Sequence, residues 1–198
     1  MISSCSQNNN TPKNGDLLFC VSDISQMSKA ITDATYNGDS LQFDHVAIFS
    51  YINEEPFVIE ASANKGVSIT KLEDFLKSCN TINGKPGVII KRLDLDVDTE
   101  TIIERALTYV GQPYDWSYLP NNNKLYCSEL IYECYRNNDS CNIFQTKPMN
   151  FRNKDGEIPD FWKTLFDKSG EKIPEGVPGT NPNDIFKDKR LQEIYRYF

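Results

Sequence analysis

A thiol at the mouth of a helix can act as a nucleophile, and Cys127 holds that position in the sequence. Cys127, Leu130, Ile131 and Cys134 fall at i, i+3, i+4 and i+7, which puts them on one inward face of a helix running to about Arg136. At such a mouth the unpaired backbone N–H groups and the helix macrodipole favour the thiolate, and the same N–H groups can hold an oxyanion. On spacing alone a core cysteine is the commoner outcome, since cysteines on apolar helical faces are usually inert. The neighbours shift the balance. A thiol nucleophile needs an imidazole within hydrogen-bond reach, and the chain contains one His, His45. Without that role His45 is a solvent-facing histidine at the start of a strand. Glu60 interrupts the otherwise apolar run 57–61, and a carboxylate there is costly to bury without a partner. Beside His45 it would accept the ring proton and fix the tautomer, leaving the other nitrogen for the thiol. Unpaired, it is an exposed strand carboxylate.

These three residues need a sheet and a helix to bring them together, and the pattern supplies both. Residues 16–21 read as an apolar strand. Ile24, Met27, Ile31 and Ala34 then recur at helical spacing, with Asp23 and Gln26 as the cap. Runs 44–51 and 56–61, joined by Asn53-Glu54-Glu55, read as a hairpin of one antiparallel sheet. Thr70 with Glu73 reads as a capping box ahead of Leu72, Phe75, Leu76 and Cys79, and residues 87–93 return to strand character. Asp98 caps a helix whose stripe is Ile103, Ala106, Leu107 and Val110, ended by Gly111 and Pro113. An aromatic, Asn-rich loop over 114–124 leads to Cys127. Beyond Asn137 the pattern predicts a short helix at 160–166 and a final strand at 194–198.

Composition narrows the function classes. A chain of 198 residues with 39% hydrophobic content makes one core-bearing domain, here 15–198 with an extension over 145–198, behind a disordered polar leader over 1–14. A formal charge of −7 without a Lys/Arg cluster argues against a nucleic-acid partner. No apolar stretch approaches the roughly 20 residues that cross a bilayer. The six cysteines, at 5, 20, 79, 127, 134 and 141, include no CxxC pair and have a single His to accompany them, so no zinc cage, metal or other cofactor is expected. Disulfides among Cys20, Cys79, Cys134 and Cys141 stay open, with buried thiols the favoured reading because each falls in or beside an apolar segment.

Taken together, residues 15–19 (Gly-Asp-Leu-Leu-Phe), 44–48 (Asp-His-Val-Ala-Ile), 58–61 (Val-Ile-Glu-Ala), 111–114 (Gly-Gln-Pro-Tyr) and 126–130 (Tyr-Cys-Ser-Glu-Leu) resemble the NlpC-type papain-like cysteine peptidase superfamily. The order His, Glu, Cys resembles its circularly permuted branch, the YiiX/YaeF-like amidases, over about residues 15–136, and the tail resembles that branch's C-terminal extension. The resemblance implies an α+β, permuted papain-like fold, an antiparallel sheet packed against helices with the catalytic Cys at a helix N-terminus. It implies Cys127 as nucleophile, His45 as general base and Glu60 as orienting residue. Tyr114 would line the site and join the Cys127 N–H at the oxyanion, with Tyr126 and Trp116 as further substrate-binding residues and Tyr118 in the cleft wall. Glu129, in the first turn of the helix where the dipole favours a carboxylate, reads as structural or as a specificity contact.

The leading expectation is a cysteine amidase or peptidase acting on a small peptide or N-acyl amino acid, of cell-wall origin, through a thioester. Two alternatives stand beside it: a lipid acyl hydrolase or acyltransferase on the same fold, and a non-catalytic envelope binding lipoprotein. Ile2-Ser3-Ser4-Cys5 before a polar tract looks like the end of a bacterial lipoprotein signal, which implies membrane attachment through a lipidated Cys5 and a place in the bacterial cell envelope.

Overall fold

The computed structural model describes residues 10–36, 38–137 and 141–198. In chain order the elements are β1 (Leu17–Val21), α1 (Gln26–Ala34), β2 (Phe43–Ile52), β3 (Glu55–Ser62), β4 (Gly66–Lys71), α2 (Leu72–Ser78), β5 (Thr81–Ile82), β6 (Lys85–Pro86), β7 (Val88–Leu93), α3 (Thr99–Thr108), α4 (Cys127–Cys134), β8 (Lys147–Pro148), α5 (Asp160–Ser169), β9 (Pro178–Gly179), α6 (Pro182–Phe186) and β10 (Leu191–Arg196). Among the described residues a six-stranded sheet runs in the order β10-β7-β1-β2-β3-β4, each pairing antiparallel. Its central strands are buried on both faces. Leu17, Phe19, Val46, Ile48 and Ile59 face one core with α3, α4 and α5, while Leu18, Cys20, Ala47, Phe49 and Val58 face a smaller one closed by Phe75 of α2.

The expected hairpin is present with a tighter turn. Asn53 and Glu54 both take positive φ, 50° and 67°, the pairing that lets a two-residue turn follow the twist of its strands. The register of β1 on β2 steps at the other end of β2. Cys20 faces His45 and Val21 faces Phe43, so Asp44 is the extra residue of a bulge. The bulge reverses the alternation of faces: Phe43 and Val46, three residues apart, both enter the larger core, and His45 is aimed away from it.

Several local expectations are corrected. The cap of α1 is Ser25, whose side chain accepts from Ser28 N–H, in place of Asp23 or Gln26, and Ile24 is fully exposed outside the helix. Along α3 the cap is Asp98 as expected, but the buried stripe is Ile102, Ile103 and Ala106, with Leu107 and Val110 exposed. Thr70 caps nothing, because it lies in β4, and Lys71 at the start of α2 makes no side-chain cap bond. The end of the leader is docked on the body: Arg92 donates to the Thr11 carbonyl and Tyr51 N–H donates to the Asn14 side chain. Cys5 lies outside the described residues.

The tail is part of the architecture. β10 extends the sheet beside β7, and β8 pairs with β9 into a two-stranded clip. At the opposite edge, β4 is fastened to the loop after α3 by bonds from Val67 N–H to Gln112 O and from Gly111 N–H to Val67 O. Gly66 permits that approach: its φ is +68°, and a Cβ there would overlap the Gln112 carbonyl. Gly66→Ala is expected to destabilise the fold by about 2–4 kcal/mol in urea unfolding; an unchanged midpoint would disprove the reading of this junction.

Candidate active site

The start of β2, the middle of β3 and the mouth of α4 meet at one point. His45 Nε2 is 2.8 Å from Glu60 Oε2; with the ring donating there, Nδ1 is left for a second partner. The other Glu60 oxygen, Oε1, accepts from the Thr70 hydroxyl at 2.8 Å. Cys127 Sγ lies 4.0 Å from the carbonyl of Asp44, the bulge residue directly before His45. His45 keeps 22% of its side chain exposed and Glu60 only 11%, so both are shielded without being sealed.

Electrostatics follow from this packing. Burial by itself would lower the His45 pKa, but hydrogen bonds to Cys127 and Glu60, with their charges, outweigh it and hold the ring well above its ordinary value. Burial would likewise raise Glu60, yet the bond and charge of His45 and the Thr70 hydroxyl keep its pKa below the usual carboxylate value. The pair therefore favours an imidazolium beside a carboxylate, with the thiol as the third member.

The helix mouth is held from both sides. Tyr126 is its N-cap residue in extended conformation, and its hydroxyl accepts from Thr180 N–H at 3.1 Å, tying the tail to the residue before Cys127. In the preceding loop Asp115 is fully buried. It accepts from Ser117 N–H, the Ser117 hydroxyl, Leu119 N–H and the Asn122 side chain, which accounts for the fixed course of the segment that delivers Tyr114. Tyr114 is buried, and burial with neighbouring Tyr118 and Cys127 pushes its hydroxyl well up, so it stays a proton donor.

A cavity of about 260 Å³ opens over Cys127, lined by Tyr114, Tyr118 and Tyr126, by Ile31 and Thr35 of α1, and by tail residues Met149, Phe151, Trp162 and Thr180. Of the residues singled out in the sequence, Cys127, Tyr114, Tyr118 and Tyr126 line this cavity, while His45 and Glu60 line an adjoining one that shares Asp44 and Tyr114 with it. Trp116 departs from expectation. It meets the Tyr114 ring at 5.0 Å but lines a separate groove between α1 and α5. Cys141, expected to be buried, is exposed, whereas Cys20, Cys127 and Cys134 are buried thiols and Cys79 is partly so. Thr70 and Asp115 were missed in the sequence; the visible signal for Asp115 was an acid followed by Ser117 and Asn122, the residue types that close side-chain turns.

Glu129 differs from its expected charged state. Burial and the nearby Asp115 push its carboxyl up to about 8, against a bond from the Tyr126 backbone, and Oε2 has no hydrogen-bond partner. At neutral pH it is mostly protonated, and the desolvation cost outweighs the helix dipole.

The chain has relatives among known proteins. Residues 11–195 match the model of the permuted papain-like amidase enzymes, YaeF/YiiX, and the chain belongs to that family. It is 26% identical over 187 residues to the uncharacterized protein YiiX of Escherichia coli, covering 92% of this chain and 86% of that one. It is 30% identical over 94 residues to Protein OPG091 of Variola virus, 47% of this chain and 51% of that one. A crystal structure of Escherichia coli yiiX, described as a metalloprotein, superposes with a TM-score of 0.75 at 24% identity over 94% of this chain and 98% of its own, so the fold is the permuted papain-like one. Among the described residues of this chain no group of three or more His, Cys, Asp and Glu gathers to hold a metal ion.

Two tests follow. For an acid raised in the fold, stability is complete below its unfolded value near 4.5 and is lost as pH climbs through about 8. Glu129→Gln is expected to flatten that decline in unfolding free energy between pH 5 and 8, and an unchanged pH slope would contradict it. Thr70→Val removes the hydroxyl on Glu60 and is expected to raise the folded-state Glu60 pKa, read by carboxyl-selective NMR titration; a carboxyl that titrates as before would show that Thr70 does not hold Glu60.

Proposed function

We propose that this chain is a cysteine hydrolase that cleaves the amide bond of a small peptide or N-acyl amino acid of cell-wall origin. The observation that carries the reading is a thiol at a helix N-terminus, 4.0 Å from the carbonyl of the residue before the chain's one imidazole and in contact with that ring, whose far nitrogen is bonded to a shielded carboxylate. Membership in a family of papain-like amidases supports the reaction class. The Cys127 thiol passes its proton to His45, its sulfur adds to the carbonyl carbon, and the resulting oxyanion is held by the Cys127 N–H with the Tyr114 hydroxyl. Collapse expels the amine, which takes its proton from the His45 imidazolium, and leaves a thioester on Cys127. Neutral His45 then draws a proton from water as the water attacks the thioester, releasing the acid and the free thiol. Glu60 keeps the ring oriented and stabilises its charged form throughout.

A second reading keeps this chemistry and takes the acyl group from a lipid. The specific observation in its favour is the apolar cavity wall of Ile31, Met149, Phe151 and Trp162. In either case we place the mature protein in the bacterial cell envelope, tethered through a lipidated Cys5, a position outside the described residues.

The deciding experiment exposes the full chain to muropeptide, acyl-amino-acid and phospholipid probes and follows both products and the intact mass. A thioester on Cys127 with muropeptide or acyl-amino-acid products supports the first reading, and an adduct from phospholipid alone supports the second. Cys127→Ala and His45→Ala are each expected to lose at least about 10³-fold in turnover. Retention of full hydrolysis by both variants would end the enzymatic assignment.

A further inference from the structure

A second thiol cluster lies beside His45, in a cavity that adjoins the Cys127 cavity at Ile31, Asp44 and Tyr114. A cavity of about 310 Å³ has His45 and Glu60 in its wall together with Cys20, Phe75 and Cys79. Cys20 is the residue paired with His45 across β1 and β2. Cys79 is the C-cap residue of α2, the helix whose Phe75 ring sits 6.1 Å from the imidazole. Although 59 positions apart in sequence, the two sulfurs are 3.1 Å from each other and hydrogen-bonded, and Cys79 Sγ bonds onward to the Phe75 carbonyl at 3.2 Å. A covalent S–S bond is about 2.05 Å long, so roughly 1 Å of side-chain movement separates this contact from a disulfide.

The two thiols are unequal in access. Cys20 is 6% exposed, whereas Cys79 is partly open to solvent. The bond to Cys79 and burial push the Cys20 thiol well up, so it remains the protonated donor while Cys79 faces incoming reagents. Cys134, by contrast, is wholly buried within α4.

We propose that Cys20 and Cys79 are a dithiol modification site, closed to an intramolecular disulfide by a low-molecular-weight disulfide of the glutathione class. In the first step the Cys79 sulfur, having lost its proton, attacks one sulfur of the reagent, forms a mixed disulfide and releases one thiol. In the second, Cys20 loses its proton and attacks the Cys79 sulfur, releasing the second thiol and forming the Cys20–Cys79 bond. Two protein thiols are oxidised and one reagent disulfide is reduced, a two-electron exchange. The closed loop contains His45, Glu60 and Thr70, so the cross-link ties α2 to β1 around the segment that carries the imidazole and its carboxylate.

The test uses the full chain carrying Cys5→Ser, Cys127→Ala and Cys141→Ser, so that neither the site thiol nor the exposed Cys141 consumes reagent, incubated with oxidised glutathione. Intact mass should fall by two hydrogens, and non-reducing peptide mapping should join the Cys20 and Cys79 peptides. The melting midpoint should rise by about 5–10 °C, since a cross-link over a long loop restricts the unfolded chain. Dithiothreitol should reverse the change, and Cys79→Ser, or Cys20→Ala if that variant folds poorly, should abolish it. Two thiols that remain open to alkylation after exposure, a lasting glutathione adduct on Cys79 that Cys20 does not resolve, or a bond joining a different pair would each overturn the proposal. None of these readouts depends on hydrolytic activity, so they stand apart from the outcome for the proposed function.

Discussion

The hydrogen bond between His45 and Glu60 is the interaction around which the site is organised, because each partner makes the other's burial tolerable. A shielded carboxylate without a partner costs several kcal/mol, and a shielded imidazolium is no cheaper. Joined at 2.8 Å, with Thr70 on the second carboxylate oxygen, they keep opposite charges in a place where neither would stay charged alone. The same pairing leaves one ring nitrogen for the sulfur. What the fold supplies is the juxtaposition, through strands adjacent in the sheet and a bulge at Asp44 that aims His45 away from the larger core.

The sulfur is located by different means. α4 is short, and its first turn is secured by the Tyr126 hydroxyl on Thr180 N–H and by the Asp115-centred loop that precedes it. The tail thus reaches the residue before Cys127 as well as walling the cavity above it. A helix mouth that frayed would carry the thiol with it, and much of the hydrogen bonding on this side of the molecule restrains that motion. Glu129, protonated at neutral pH in the same first turn, places no second negative charge next to Asp115.

The cysteines illustrate how one residue type divides into roles by surroundings. Cys127 opens a helix beside an imidazole, Cys134 fills the core seven residues on, and Cys20 and Cys79 face each other across the smaller core. Only the first of these roles has a local signature. The meeting of the last two arises from strand register and from where α2 ends, neither of which short-range pattern encodes.

The amino-acid sequence by itself determined which groups meet at the candidate site, since a lone imidazole, an acid within an apolar strand and a thiol opening a helical stripe are anomalies of composition and period. It also determined the β2–β3 hairpin, the Asp98 cap and the strand β7, which follow from short-range propensity and turn chemistry. Tertiary structure decided the rest. Thr70 reads as a helix cap from its spacing to Glu73, but in β4 its hydroxyl is turned to Glu60, and non-local pairing overrides the local signal. Trp116 reads as a cleft residue from its place in an aromatic loop, yet the turn around Asp115 sends it toward the groove between α1 and α5. Leu107 fits a helical period and ends in solvent, because a period names a face of a helix and only the packed partners decide which residues on that face are covered, and Ile24 is exposed because α1 starts after it, behind the Ser25 cap.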